Sequence, residues 1–283
     1  MSTKLKIAAA VAAAVLLSAC SSPKHEPMPL VKFTPSMEVT EVWSKGLSSA
    51  EGFLVPAVYD DMVFAAGGKT LTRLNARTGE TEWSVSFNSP ITGGVGSDGY
   101  VTAVGLWDGN LEVVDAEGKV SWEKKLTTEL ASPPVVSHGL VIARTMDTRV
   151  SAFEASSGEL QWTYQRSQPA LTVRLPTRML AHDNFLLVGQ PNGHIVILDI
   201  ASGKPMFEFQ VAQAKGVTEV ERLVDVVGAP AFSDNLVCAA AFQGAVTCVD
   251  STNGQTRWTQ KIDAVAGLSL IHISEPTRPR LIS

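Results

Sequence analysis

Side chains able to do chemistry are sparse in this chain of 283 residues, and their spacing argues against catalysis. The histidines stand at 25, 138, 182, 194 and 272, none at metal-ligand spacing from a second His or a Cys. No glycine-rich phosphate loop, Ser/His/Asp grouping or pair of acid and base carboxylates stands out. Two of the three cysteines, Cys238 and Cys248, flank Gln243 and Gly244 in what reads as a hairpin, so they lie near one another across two strands. An oxidising compartment permits a bond between them. The tight geometry of adjacent-strand bridges makes two core thiols in Val-rich strands the readier reading. Acidic residues number 28 against 23 Lys and Arg, a net charge of −5 that becomes −7 once Lys4 and Lys6 leave with a leader. That balance argues against nucleic acid or an anionic lipid surface as the main partner.

The third cysteine, Cys20, has a specific context. Residues 1–19 carry two lysines, an apolar run from Ile7 to Leu17, and small residues before Cys20, the layout of a secretory signal. The run is shorter than the roughly 20 residues a membrane-spanning helix needs. Leu17-Ser18-Ala19-Cys20 resembles the lipobox of bacterial lipoproteins, which implies cleavage before Cys20 and acylation, palmitate included, of the new N-terminus. Ser21 in place of Asp resembles the class sent to the outer membrane. Residues 20–38 are rich in Ser, Pro, Lys and Glu without period, and read as a flexible tether. The expected location is the periplasmic face of the outer membrane, held by lipid.

The elements that follow are set by a repeat. Leu74-Asn-Ala-Arg-Thr-Gly-Glu-Thr-Glu-Trp83 recurs as Val114 to Trp122, Phe153 to Trp162, Leu198 to Phe207 and Val249 to Trp258. Each copy follows an apolar run and places an aromatic three to five residues beyond a Gly. The Gly supplies positive φ in a hairpin turn, and the aromatic lies on the return strand. One period in full reads as four strands, near 134–136, 140–144, 150–154 and 160–164. About 40 residues and four antiparallel strands make a β-propeller blade. Trp43, Trp83, Trp122, Trp162, Phe207 and Trp258 are therefore read as wedges between neighbouring blades rather than as ligand-stacking surfaces. Trp43 reads as the last strand of a further blade.

The wording of the repeat resembles the PQQ-like propeller family, a name that describes a fold and does not imply the cofactor. The expected class is all-β: a PQQ-like or WD40-like β-propeller of four-stranded antiparallel blades, here an incomplete ring of about five to six over residues 39–267. Quinone-dependent dehydrogenases of similar fold resemble each other in a vicinal Cys-Cys pair that is missing here. A periplasmic PQQ-dependent dehydrogenase or ligand-binding propeller is the alternative; the favoured reading is non-enzymatic and without cofactor or metal.

Two segments fall outside blade building, Pro169 to Pro176 and Thr218 to Pro230. With the lipobox and the repeat, they resemble the lipid-anchored propellers of the outer-membrane β-barrel assembly (BAM) machinery. In that family a Leu-x-Leu-Arg segment and an Arg-Leu-x-Asp-x-Asp segment on neighbouring loops dock onto BamA through its periplasmic POTRA domains. Leu171, Val173 and Arg174 fill the first pattern, with Val for the second Leu. Arg222, Leu223 and Asp225 match the second, while Val227 stands where the family commonly shows Asp. The resemblance implies apolar anchors at Leu171 and Val173, and charges at Arg174 and Asp225 that pair with each other or contact the partner. The competing assignments are core positions for Leu171 and Val173 by strand alternation, and a turn-capping carboxylate for Asp225. Unfolded outer membrane proteins are a further partner, taken up by β-augmentation at blade edges. Past Gly267 the repeat stops, and residues 268–283 read as a non-native or frameshifted tail on a truncated propeller with an open strand edge.

Overall fold

The computed structural model describes residues 40–48, 54–262, 264, 265, 267 and 268. The chain divides into a unit over Met1–Glu41, of which only Thr40 and Glu41 are described, and a unit over Val42–Ser283. The leader, the Cys20 lipidation site, nearly all of the tether and the tail beyond Leu268 lie outside the described residues.

The second unit is an all-β propeller of five four-stranded sheets, each an antiparallel meander in chain order. The first sheet holds β1 (Ala57–Tyr59), β2 (Met62–Gly67), β3 (Thr70–Asn75) and β4 (Thr81–Ser86). The second holds β5 (Ile91–Ser97), β6 (Thr102–Leu106), β7 (Asn110–Val114) and β8 (Val120–Lys125). The third holds β9 (Val135–Ser137), β10 (Leu140–Arg144), β11 (Val150–Glu154) and β12 (Leu160–Tyr164). The fourth holds β13 (Leu180–His182), β14 (Phe185–Gly189), β15 (His194–Asp199) and β16 (Pro205–Gln210). The fifth holds β17 (Val226–Ser233), β18 (Leu236–Ala241), β19 (Gly244–Asp250) and β20 (Thr256–Ile262). First strands of successive sheets lie side by side. Each connection between sheets therefore runs from an outer strand back to an inner one.

The core is distributed between sheets, and strand alternation decides which neighbour each side chain meets. On β10, Val141 and Ala143 pack towards the second sheet with Val113 and Leu111, while Ile142 packs towards the fourth with Leu186 and Val188. On β14, Leu187 turns the other way and joins Val237 and Ala239 of the fifth sheet. Nearly continuous apolar strands result, because both faces of an interior blade are covered.

The repeated turn explains its own wording. In each copy the Gly N–H bonds back to the residue that opens the turn, as Gly79 does to Asn75 at 2.8 Å and Gly158 to Glu154 at 2.8 Å. The Asn or Asp at that position accepts N–H groups two to four residues on: Asn75 from Arg77 and Thr78, Asp115 from Glu117 and Lys119, Asp199 from Ser202. Gly158 has φ +70°, and a Cβ there would lie 2.8 Å from Trp122 Cδ2. The indole lies flat on the glycine of the next blade and donates Nε1–H to a carbonyl of the same turn. These bonds are Trp83 to Ala116 at 2.9 Å, Trp122 to Ala155 at 2.8 Å and Trp162 to Ile200 at 2.8 Å. Phe207 meets Gly254 with the outer edge of its ring, Cζ nearest, and has no donor to offer. Trp258 packs at the far face of the fifth sheet with Val246 and Ala240.

Two expectations change here. Residues 40–48 form no strand, so Trp43 is not part of a paired blade edge among the described residues. Its indole still sits on Gly79 and bonds the Ala76 carbonyl at 2.8 Å, because docking needs only the glycine and the carbonyl. Cys238 and Cys248 are not two free thiols: they stand directly opposite in the β18–β19 register and are disulfide-bonded.

Candidate partner-docking surface

The longest connections between sheets join β12 to β13 over residues 165–179 and β16 to β17 over 211–225. Their backbones are irregular, so their polar groups need partners outside a ladder. For the first loop the partners come from the fifth sheet. The Gly228 N–H donates to Pro176 O at 2.7 Å, and the Arg178 N–H donates to Gly228 O at 3.0 Å. Leu175 packs on the cluster of Val227, Ala240 and Val246. The Val173 N–H donates to Asp225 Oδ2 at 2.6 Å, which ties the first loop to the end of the second.

With Leu175 anchored inward, the preceding residues are turned out. Leu171 is 42% exposed, Val173 is half-buried and Arg174 is exposed. The second loop is braced by a reciprocal cap. Glu221 Oε2 accepts the N–H groups of Val217 at 2.9 Å and Thr218 at 3.0 Å, and Thr218 Oγ1 accepts the Glu221 N–H at 3.3 Å. The Thr218 and Val217 N–H groups hold the Glu221 carboxyl below its ordinary range. The cap presents Val217, 96% exposed, and Val220, 60% exposed, next to Arg222. Arg222 pairs with Glu219 at 3.8 Å, an exposed contact that contributes little to stability. Val217 and Val220 were not singled out from the sequence; the Thr-x-x-Glu spacing of Thr218 and Glu221 is the signal that reveals a fixed turn there.

Two of the expected surface residues are internal. Asp225 is 7% exposed, makes no ion pair with Arg174, and gives both oxygens to backbone N–H groups, the second that of Asn192 at 3.3 Å. Burial raises its carboxyl above the ordinary range, while those two N–H groups and the Arg144 guanidinium oppose the rise. Val227 is 2% exposed on β17, so its side chain does not reach the surface. The sequence pattern thus combines exposed side chains (Leu171, Arg174, Arg222) and a half-buried Val173 with an internal carboxylate that ties the two loops together.

A family model described as "Outer membrane protein assembly factor BamB" matches residues 67–274. The chain belongs to the BamB family. Members of the family bearing that name include a Burkholderia pseudomallei protein, 37% identical over 267 residues that cover 92% of this chain and 70% of that one. Another, from Bordetella pertussis, is 34% identical over 260 residues, covering 89% of this chain and 67% of the relative. Among solved structures, BamB from Moraxella catarrhalis superposes with a TM-score of 0.69 at 27% identity, over 75% of this chain and 65% of that one. The chain therefore spans about two thirds of the length of these family members.

Proposed function

We propose that the chain is a non-enzymatic scaffold for outer membrane protein assembly, docking onto BamA through the loops at 165–179 and 211–225. Family membership supports the assembly role over a quinone-dependent dehydrogenase, since the relatives are named as assembly factors. The observation that carries the docking surface is the Asp225 carboxylate bonded to the Val173 N–H. It ties the stretch that bears Leu171 and Arg174 to the second loop, so less conformational entropy is lost when a partner binds. Leu171, Val173, Arg174 and Arg222 are the proposed contacts to the periplasmic POTRA domains of BamA. Asp225 and Val227 act behind them. The lipidated Cys20 holds the propeller at the periplasmic face of the outer membrane, a tether over 20–38 gives it reach, and unfolded outer membrane proteins are brought to the complex.

The test is retention of the chain by immobilised BamA periplasmic region. Leu171→Ala and Arg174→Ala are each expected to weaken binding by about 2 kcal/mol, as central interface anchors do. Retention unchanged in the double variant would remove these loops from the interface.

A further inference from the structure

Behind the first docking loop lies a cavity of about 450 Å³, lined by Gln168 and residues 172–177 of that loop, residues 129–133, the turn after β10 and the start of β17. Its polar lining contains a buried cation. Arg144, at the end of β10, is 5% exposed. Its Nη1 donates to Thr177 Oγ1 at 3.3 Å, while its Nε has no partner. No carboxylate among the described residues lies within ion-pair distance of it. Asp225 acts on it only through space, since the two side chains stand beyond ion-pair distance. Burial pushes the guanidinium down to about 10, which still leaves it charged at neutral pH. Three hydroxyl oxygens of wall residues are buried and unpartnered, Thr92 Oγ1, Ser132 Oγ and Thr148 Oγ1. An interior charge without a direct counter-ion is expensive, and such sites are completed by a partner of opposite sign.

We infer that this cavity binds a carboxylate group carrying a single negative charge, seated on Arg144 and received by the hydroxyls of Ser132 and Thr148. The planar guanidinium matches a carboxylate's two oxygens. The two cations on the wall, Arg144 and Arg174, are offset there by Glu129 and Asp225, which disfavours a doubly charged phosphate. Leu130, Leu175 and Val226 give the remainder of the cavity apolar walls, room for the carbon skeleton that bears the acid. A free short-chain acid and the C-terminal carboxylate of an extended peptide share this chemistry.

The probes are butyrate, a tetra-alanine peptide with a free C-terminus, the same peptide amidated, and phosphate, each titrated into the full chain at constant ionic strength. The reading is the Arg144 Nε–H resonance in protein labelled at arginine. Butyrate or the free-acid peptide should shift it saturably, and the amide and phosphate should not. A response to the peptide alone assigns the source to a polypeptide end, and a response to butyrate assigns it to a free acid. Arg144→Gln, which removes the reporting resonance and is followed by titration calorimetry, should weaken binding about tenfold or more, the loss of a charge-assisted contact. Ser132→Ala, which leaves the charge and the fold's backbone bonds in place, should weaken it severalfold and so keeps the inference testable should Arg144→Gln not fold. No saturable shift with either acid, equal binding of the amide or of phosphate, or unchanged affinity in Ser132→Ala together with Arg144→Gln would overturn it.

Discussion

At the residue scale, a buried carboxylate decides the shape of an exposed surface. Asp225 and Val173 are 52 positions apart in sequence, and their bond closes one inter-blade loop onto the next. Asp225→Ala leaves the Val173 and Asn192 N–H groups without acceptors and removes the nearest opposing charge from Arg144. It is expected to destabilise the fold by about 3 kcal/mol in urea unfolding, and Asp225→Asn by less, since one acceptor oxygen is kept. A second prediction concerns Asp250, whose carboxyl is held at about 2 by the Thr252 hydroxyl and N–H and then by Arg257. The folded value lies below the ordinary 3.8, so its stabilisation is complete above that pH and is lost as pH falls towards 2. Asp250→Asn should flatten the fall of the urea midpoint through that acid window and leave its slope at neutral pH unchanged. Arg174 and Asp225 could both be picked out by residue type and position, but whether they meet each other was not legible. That depends on Leu175 packing under the loop and on Asn192 of a different blade, neither of which local spacing encodes.

At the scale of elements, the repeat is legible because each of its letters satisfies a local bond. The Gly allows the turn and the flat approach of the ring; the Asn or Asp closes the turn; the aromatic joins one sheet to the next. Strands at 140–144, 150–154 and 160–164 fall where alternation and turn residues place them, and the first strand of that sheet is displaced by one residue. Trp43 misled as a strand marker because indole docking does not require a ladder. Trp122→Ala should cost about 3–5 kcal/mol, as expected when a packed aromatic and its hydrogen bond are lost, measured by denaturant titration. The junction between the fourth and fifth sheets offers the opposite test. Phe207 stands where the other junctions hold an indole, and beside it is a cavity of about 370 Å³ lined by Phe185, Phe209, Phe232 and Ser251. Ser251 holds the same position relative to Gly254 as Ala155 does to Gly158, the carbonyl that accepts from Trp122. Phe207→Trp should therefore stabilise by about 0.5–2 kcal/mol, read as a rise in melting temperature.

At the scale of the molecule, the blades build a rigid frame and leave function to the connections. Interior strands are committed on both faces, and the loops proposed to meet a partner are held in place by the frame. The charge balance argues against nucleic acid as the main partner, and a composition that is 45% hydrophobic supplies the apolar core that five packed sheets require. Family membership then assigns that frame to outer membrane protein assembly. The two tied loops are the proposed place where BamA binds. Hydrogen–deuterium exchange of the chain with and without the BamA periplasmic region measures this directly. Protection concentrated in residues 168–178 and 215–225, absent in Leu171→Ala with Arg174→Ala, is the expected result. Protection confined to blade edges or turns elsewhere, with these loops exchanging as in the free chain, would contradict it.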